Sequence, residues 1–214
     1  MGRFLLLLML IVLTGCIPRG QVPDSTPAVP LPRGNRDPAT IQCHVDLASA
    51  GVRFRRLEDR SFENGCHALG AVQLLDIGTP VSNLGAMTCP LARTFARWLS
   101  EDVQPAAQAA FGQPVRRVES MGTYACRSVN GRAGARISEH GFANAVDVSA
   151  FVLGDGRRIT VANDWRGGDV QAQQFLRNVH RAGCRRFAVG LGPDADRFHQ
   201  DHLHFDLGRG PYCR

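Results

Sequence analysis

The chain has 214 residues, 44% of them hydrophobic and 21% charged, which suits one folded domain with appendages and excludes a disordered or collagen-like chain. Its net charge of +6 is carried by 25 arginines and no lysine, and favours anionic partners. Basic runs with interleaved aromatics are missing, so no nucleic-acid partner is expected and an anionic envelope polymer is the better match.

Arg3 is followed by an unbroken apolar run from Phe4 to Leu13. A bilayer span needs about 20 such residues, so this shorter run has the form of a secretory signal. It ends in Leu13-Thr14-Gly15-Cys16, which resembles the bacterial lipobox. The resemblance implies a signal peptide over 1–15, cleavage before Cys16, and a diacylglycerol thioether on the Cys16 sulfur that holds the protein on a membrane. By the sorting rule of such lipoproteins, Ile17 in place of Asp implies the outer membrane, facing the periplasm. From Pro18 to Pro38 there are six prolines and no apolar periodicity, so 16–38 is expected to be an extended tether and 39–214 the folded domain.

Six further cysteines remain: Cys43, Cys66, Cys89, Cys126, Cys184 and Cys213. An even number in an exported chain favours three disulfides, and no pair has the C-x₂₋₄-C spacing of a zinc site. Sequence alone leaves fifteen pairings open. Joining neighbours in order gives the expectation Cys43–Cys66, Cys89–Cys126 and Cys184–Cys213.

Ile41 to Ala50 suits a short helix. Pro90 to Phe111 carries Leu91, Phe95, Trp98 and Leu99 at helical spacing, with Pro105 expected to split it. Asp169 to Ala182 reads as a helix with Asp169 as N-cap and Gly183 as its stop. Expected strands are Val72–Ile77, Val115–Ser120, Ala145–Val152, Arg158–Val161, Phe187–Leu191 and Leu203–Leu207, with Gly154-Asp155-Gly156 turning the third into the fourth. The fold class is therefore α+β, a mostly antiparallel sheet with flanking helices.

Two segments hold unusual chemistry: Ser138 to Asp147, and His199 to Asp206. They contain four of the seven histidines. Side chains alternate along a strand, so His202, His204 and Asp206 share one face while Leu203, Phe205 and Leu207 enter the core. Asp147 and Ser149 likewise oppose Val146 and Val148. Two His and one Asp around an open fourth position is a catalytic zinc donor set, which brings the pKa of a bound water to about 7.

Ser138-x-His140, Asp147 seven residues after that His, and His202-x-His204 resemble the peptidoglycan metallopeptidases of the D-Ala-D-Ala carboxypeptidase type, a group that includes lysostaphin-type enzymes and the hedgehog signalling domain. The similarity is greatest to its extensin-like branch, through Tyr124-Ala125-Cys126-Arg127, Trp165, Leu191-Gly192-Pro193 and Tyr212-Cys213-Arg214, over roughly residues 40 to 214. One departure is Ala143, where the family pattern has Gly.

The resemblance implies a hedgehog/DD-peptidase-like fold with zinc on His140, Asp147 and His204. It further implies Asp201, three residues before the last ligand, as general base, and His202 as oxyanion stabiliser or orienter of the base. Arg127 takes the substrate carboxylate or carbonyl, and His199 and Asp206 are candidates to orient the ligands. Ser138 suits a local loop bond, and Glu139 has no assigned role. The function implied is hydrolysis of D,D- or L,D-peptide bonds in peptidoglycan stem peptides. The alternative is a zinc-containing wall-peptide-binding module that does not cut; any regulatory protein partner stays open. A lysostaphin-type endopeptidase is disfavoured, since its first motif spaces His and Asp by four.

Overall fold

The computed structural model describes residues 34–167 and 169–214. The signal peptide, Cys16 and nearly all of the tether fall outside those residues. The described chain opens with α1 (Pro38–Ser49), whose cap Asp37 accepts a hydrogen bond from the Ala39 amide. Short strands follow: β1 (Arg53–Arg56), β2 (Arg60–Ser61), β3 (His67–Ala68), β4 (Ala71–Asp76), β5 (Val81–Ser82) and β6 (Met87–Thr88). Next come α2 (Cys89–Trp98), a π-helical stretch (Leu99–Val103) and α3 (Gln104–Phe111). Then β7 (Val115–Gly122), β8 (Ala145–Leu153), β9 (Arg158–Thr160), α4 (Val161–Asp164) and α5 (Val170–Arg186) lead to β10 (Val189–Leu191), β11 (Leu203–Asp206) and β12 (Tyr212–Cys213).

The main sheet has the order β12-β10-β11-β8-β7-β5, with β9 on β8. Its pairings are antiparallel except β5 with β7 and β10 with β12. The fold is α+β, as the periodicities indicate. A smaller sheet, β1-β4-β6, lies upstream, and β2 pairs with β3. No described helix is long and apolar enough to cross a membrane.

Helices α2 and α5 cover one face of the main sheet. Trp98 donates its indole N–H to the Val179 carbonyl at 3.0 Å, and its ring lies 5.1 Å from that of Phe205. Phe205 also stacks on Phe187 at 4.9 Å. Pro105 divides the run into α2 and α3, as expected, without ending the helical path. Its missing N–H and its clash with the preceding turn are absorbed just upstream, where the ladder widens to π over Leu99–Val103.

Three expectations need correction. Gly183 does not stop α5, which runs on to Arg186. It is a packing glycine: a Cβ there would lie 3.0 Å from Phe205 Cδ1 and nearer still to Cε1 and Cζ of that ring. Two of the three expected disulfides are re-paired. Cys43 joins Cys89 because α1 packs on α2, and Cys66 joins Cys126 where the β2–β3 hairpin meets the loop after β7, with Phe62 stacked on Tyr124 at 6.0 Å. Cys184–Cys213 is as expected. Val161 begins a helical turn rather than ending a strand, because the Thr160 hydroxyl caps the Asn163 amide.

Candidate metal centre

β8 and β11 pair in a register that sets His204 beside Asp147, with Phe205 beside Val146 and Leu203 beside Val148 on the core side. Alternation does the rest: the apolar residues fill the core and the polar ones meet on the opposite face. His140 arrives from the 3₁₀ turn Glu139–Phe142, where Ser138 caps the His140 amide through its hydroxyl. That turn closes with Ala143 at φ +52°, a left-handed conformation that favours glycine; this chain adopts it with Ala, at a cost of about 1 kcal/mol.

The three side chains converge in a buried cluster. His140 Nε2 lies 3.1 Å from Asp147 Oδ2 and 3.2 Å from His204 Nδ1, while His204 Nδ1 lies 2.9 Å from Asp147 Oδ1. These ligand atoms all fall within 4.8 Å of one another, so one cation could take all three. Each imidazole is fixed from behind. His140 Nδ1 donates to the Thr123 carbonyl at 2.9 Å, which leaves Nε2 for the centre. His204 Nε2 donates to Asp206 Oδ2 at 2.8 Å, which leaves Nδ1.

The electrostatics fit a site that awaits a cation. Burial pushes the Asp147 carboxyl up, but hydrogen bonds from His140 and His204 outweigh it and hold it far below the usual carboxylate range. Burial pushes His204 down, but Asp147 and Asp206 outweigh that and raise it to about 9. Without an ion, His204 therefore carries a proton between two carboxylates, at the atom a metal would occupy. Two imidazole nitrogens and a carboxylate oxygen with oriented partners make a metal donor set. A second group, His180, Cys184 and Cys213, has its two sulfurs bonded to each other.

Residues matched by the family model for the extensin-like protein C-terminus are 41–214. The chain belongs to this extensin-like family. No curated protein and no solved structure matches the chain.

Around the cluster the extensin-like domain opens a cleft of about 780 Å³, lined by Arg127, His140, His199, His202 and His204 among others. Arg127 Nη2 lies 3.9 Å from Asp147 Oδ2. Its segment is tied down by the Cys66–Cys126 disulfide and by the Ser138 amide, which donates to the Arg127 carbonyl. His202 presents Nε2 at 3.6 Å from Asp147 Oδ1, and its Nδ1 pairs with Asp201 Oδ1 at 2.8 Å. Asp201 thus stands behind His202, with 56% of its side chain exposed, and does not line the cleft. Asp206 touches His204 directly. His199 does not: its Nδ1 pairs with Asp196 at 2.8 Å, and its ring stands 5.7 Å from that of His204. Burial pushes His199 down more than Asp196 raises it.

Two residues without an assigned role hold the His140 turn. Asn144 donates its side-chain amide to Glu139 Oε2 at 2.8 Å and accepts from the Thr88 hydroxyl. Glu139 also sits against Gly208, where a Cβ would lie 2.6 Å from its Cδ. The sequence signal for this was thin: a single Asn between two alanines.

Proposed function

We propose that this extensin-like domain is a zinc-dependent peptidase that cuts D,D- or L,D-peptide bonds in peptidoglycan stem peptides, exported and lipid-anchored through Cys16 on the periplasmic side of the outer membrane. The observation that carries the reading is the buried convergence of His140, Asp147 and His204, each histidine held in one orientation by a partner of its own. A nitrogen-rich set with one carboxylate matches zinc better than calcium or magnesium, which prefer all-oxygen shells. The spacing of His140, Asp147 and His204, and their placing across two antiparallel strands, support membership of the D-Ala-D-Ala carboxypeptidase and hedgehog-type group.

When bound, such an ion supplies Lewis acidity, polarising the scissile carbonyl and making water a competent nucleophile near neutral pH. His202 Nε2 faces the cluster and takes the proton from the attacking water, then returns it to the leaving amine. Asp201 Oδ1 holds the Nδ1–H of His202 and so keeps Nε2 turned inward. The general-base role expected of Asp201 passes to His202, with Asp201 as its positioning residue. Arg127 offers its planar fork to a substrate carboxylate or carbonyl beside the cluster.

The second reading, a wall-peptide-binding module without hydrolysis, is favoured by one observation: the carboxylate expected as base is exposed and outside the cleft. Digestion of purified muropeptides with and without a chelator, followed by mass spectrometry, decides between them. The peptidase reading expects product masses that vanish with chelator and return with zinc. A fully zinc-loaded protein that leaves every muropeptide intact establishes the binding module instead.

A further inference from the structure

The cleft carries more positive charge than the triad and Arg127 need. Arg136 and Arg209 also line it, together with the carboxylates Glu139, Asp196 and Asp206. Those carboxylates are engaged within the domain. Glu139 accepts from Asn144, Asp196 from the Phe198 amide and His199, and Asp206 from His204 and the Gly208 amide. The guanidinium groups are not comparably held. Arg136 reaches Glu139 only at 3.8 Å, with 68% of its side chain open. Arg209 is exposed and shows no ion pair or hydrogen bond among the described residues. The close approach of Gly208 to Glu139 brings the Arg209 segment alongside the Glu139 turn, next to Arg136. The cleft therefore offers two places for an anion, one at Arg127 beside the triad and one at Arg136 and Arg209.

The geometry points to Arg209, aided by Arg136, as a second carboxylate-recognition position, so that the preferred ligand is a peptide carrying one carboxylate at the reacting end and another on a neighbouring residue. This rests on the wall-peptide reading above and narrows it to stem peptides whose diamino-acid residue keeps its side-chain carboxylate free. A guanidinium fork matches a carboxylate bidentately, and amidation of that carboxylate removes both the charge and one acceptor. An arginine left without an intramolecular partner meets a ligand without first breaking a bond.

The test uses the full-length protein and two fluorescent synthetic pentapeptides of the Ala–γ-Glu–diaminopimelate–Ala–Ala type, which offer both the L,D and the D,D bond. One has the diaminopimelate side-chain carboxylate free and the other has it amidated. Binding is read by anisotropy and cleavage separately by mass spectrometry. Amidation is expected to weaken binding to the wild type about tenfold or more, the effect of a charged hydrogen bond. In Arg209→Gln the free and amidated peptides should bind alike, and Arg136→Gln should narrow the gap in part. Zinc content and melting temperature of each variant show that the domain and its centre are intact. Equal binding of both peptides by the wild type, or an Arg209→Gln loss of the same size on both, overturns the second position. Amidation-sensitive binding without cleavage keeps it and removes only the peptidase reading; cleavage insensitive to amidation does the reverse. Absence of binding to either peptide removes both.

Discussion

Gly183→Ala should destabilise the domain although alanine is the better helix former. Gly183 lies on the inner face of α5, and the added methyl carbon would stand 3.0 Å from Phe205 Cδ1, with two further ring atoms nearer. Carbon atoms pack best at about 3.5–4.0 Å. The Phe205 ring has nowhere to retreat. Phe187 stacks on it at 4.9 Å, Trp98 stands at 5.1 Å and His180 at 6.0 Å, and a Cβ on Gly190 would lie 3.3 Å from its Cε1. Overpacking of a closed core costs about 1–3 kcal/mol, and this site belongs at the upper end. The gain from helix propensity is about 1 kcal/mol. The net loss is about 2 kcal/mol, which at this chain length lowers the melting temperature by roughly 4–8 °C. Thermal unfolding by circular dichroism measures it. Since Phe205 lies between His204 and Asp206, zinc affinity should fall in the same variant. A melting temperature at or above that of the wild type would show that the contact yields freely, and the packing argument would fail.

Three other outcomes are expected. His204→Ala should be zinc-poor by elemental analysis, whereas His202→Ala should keep zinc and lose about 10²- to 10⁴-fold in muropeptide turnover; a zinc-loaded His202→Ala with wild-type turnover would exclude His202 as the base. In the metal-free protein His204 is raised from 6.5 to about 9, so its stabilising contribution is complete below pH 6.5 and is lost as pH climbs through 9. That is about 3 kcal/mol across the window, read as a fall in the urea midpoint that saturating zinc abolishes; a flat midpoint contradicts it. The histidines lowered by burial (His44, His67, His180 and His199) act on the other side of that window, losing stability only as pH falls. Cys16→Ser should leave the protein unacylated and out of the membrane fraction, and a variant that still pellets at mature size would exclude the lipid anchor.

The centre was legible in the sequence because its residues obey the strand alternation that also builds the core. His202, His204 and Asp206 could be placed on one face by reading Leu203 and Phe205 on the other. The direction of Asp201 was not legible: it depends on the bend before β11, where alternation ends. Helix α2 announced itself by apolar spacing and α5 by its Asp169 cap, but Gly183 carried two meanings. Glycine marks helix ends and close packing alike, and only the Phe205 ring decides between them. β1 reads Arg53-Phe54-Arg55-Arg56, and β2 and β3 after it have two residues each, too short for any period. The disulfides were misjudged for a related reason. Order along the chain says nothing of α1 lying on α2, which brings Cys43 to Cys89.

The β8–β11 register has a consequence for the order of maturation. A slip of β11 by one residue would turn His204 into the core, away from Asp147, and Leu203 and Phe205 out of it. Apolar contacts thus assemble the ligand cluster without help from an ion, and three disulfides fasten the surrounding chain. Small zinc-dependent modules, by contrast, remain unfolded until the metal arrives. Any loading is then a late event, in which a cation displaces the His204 proton from a chain that is already folded.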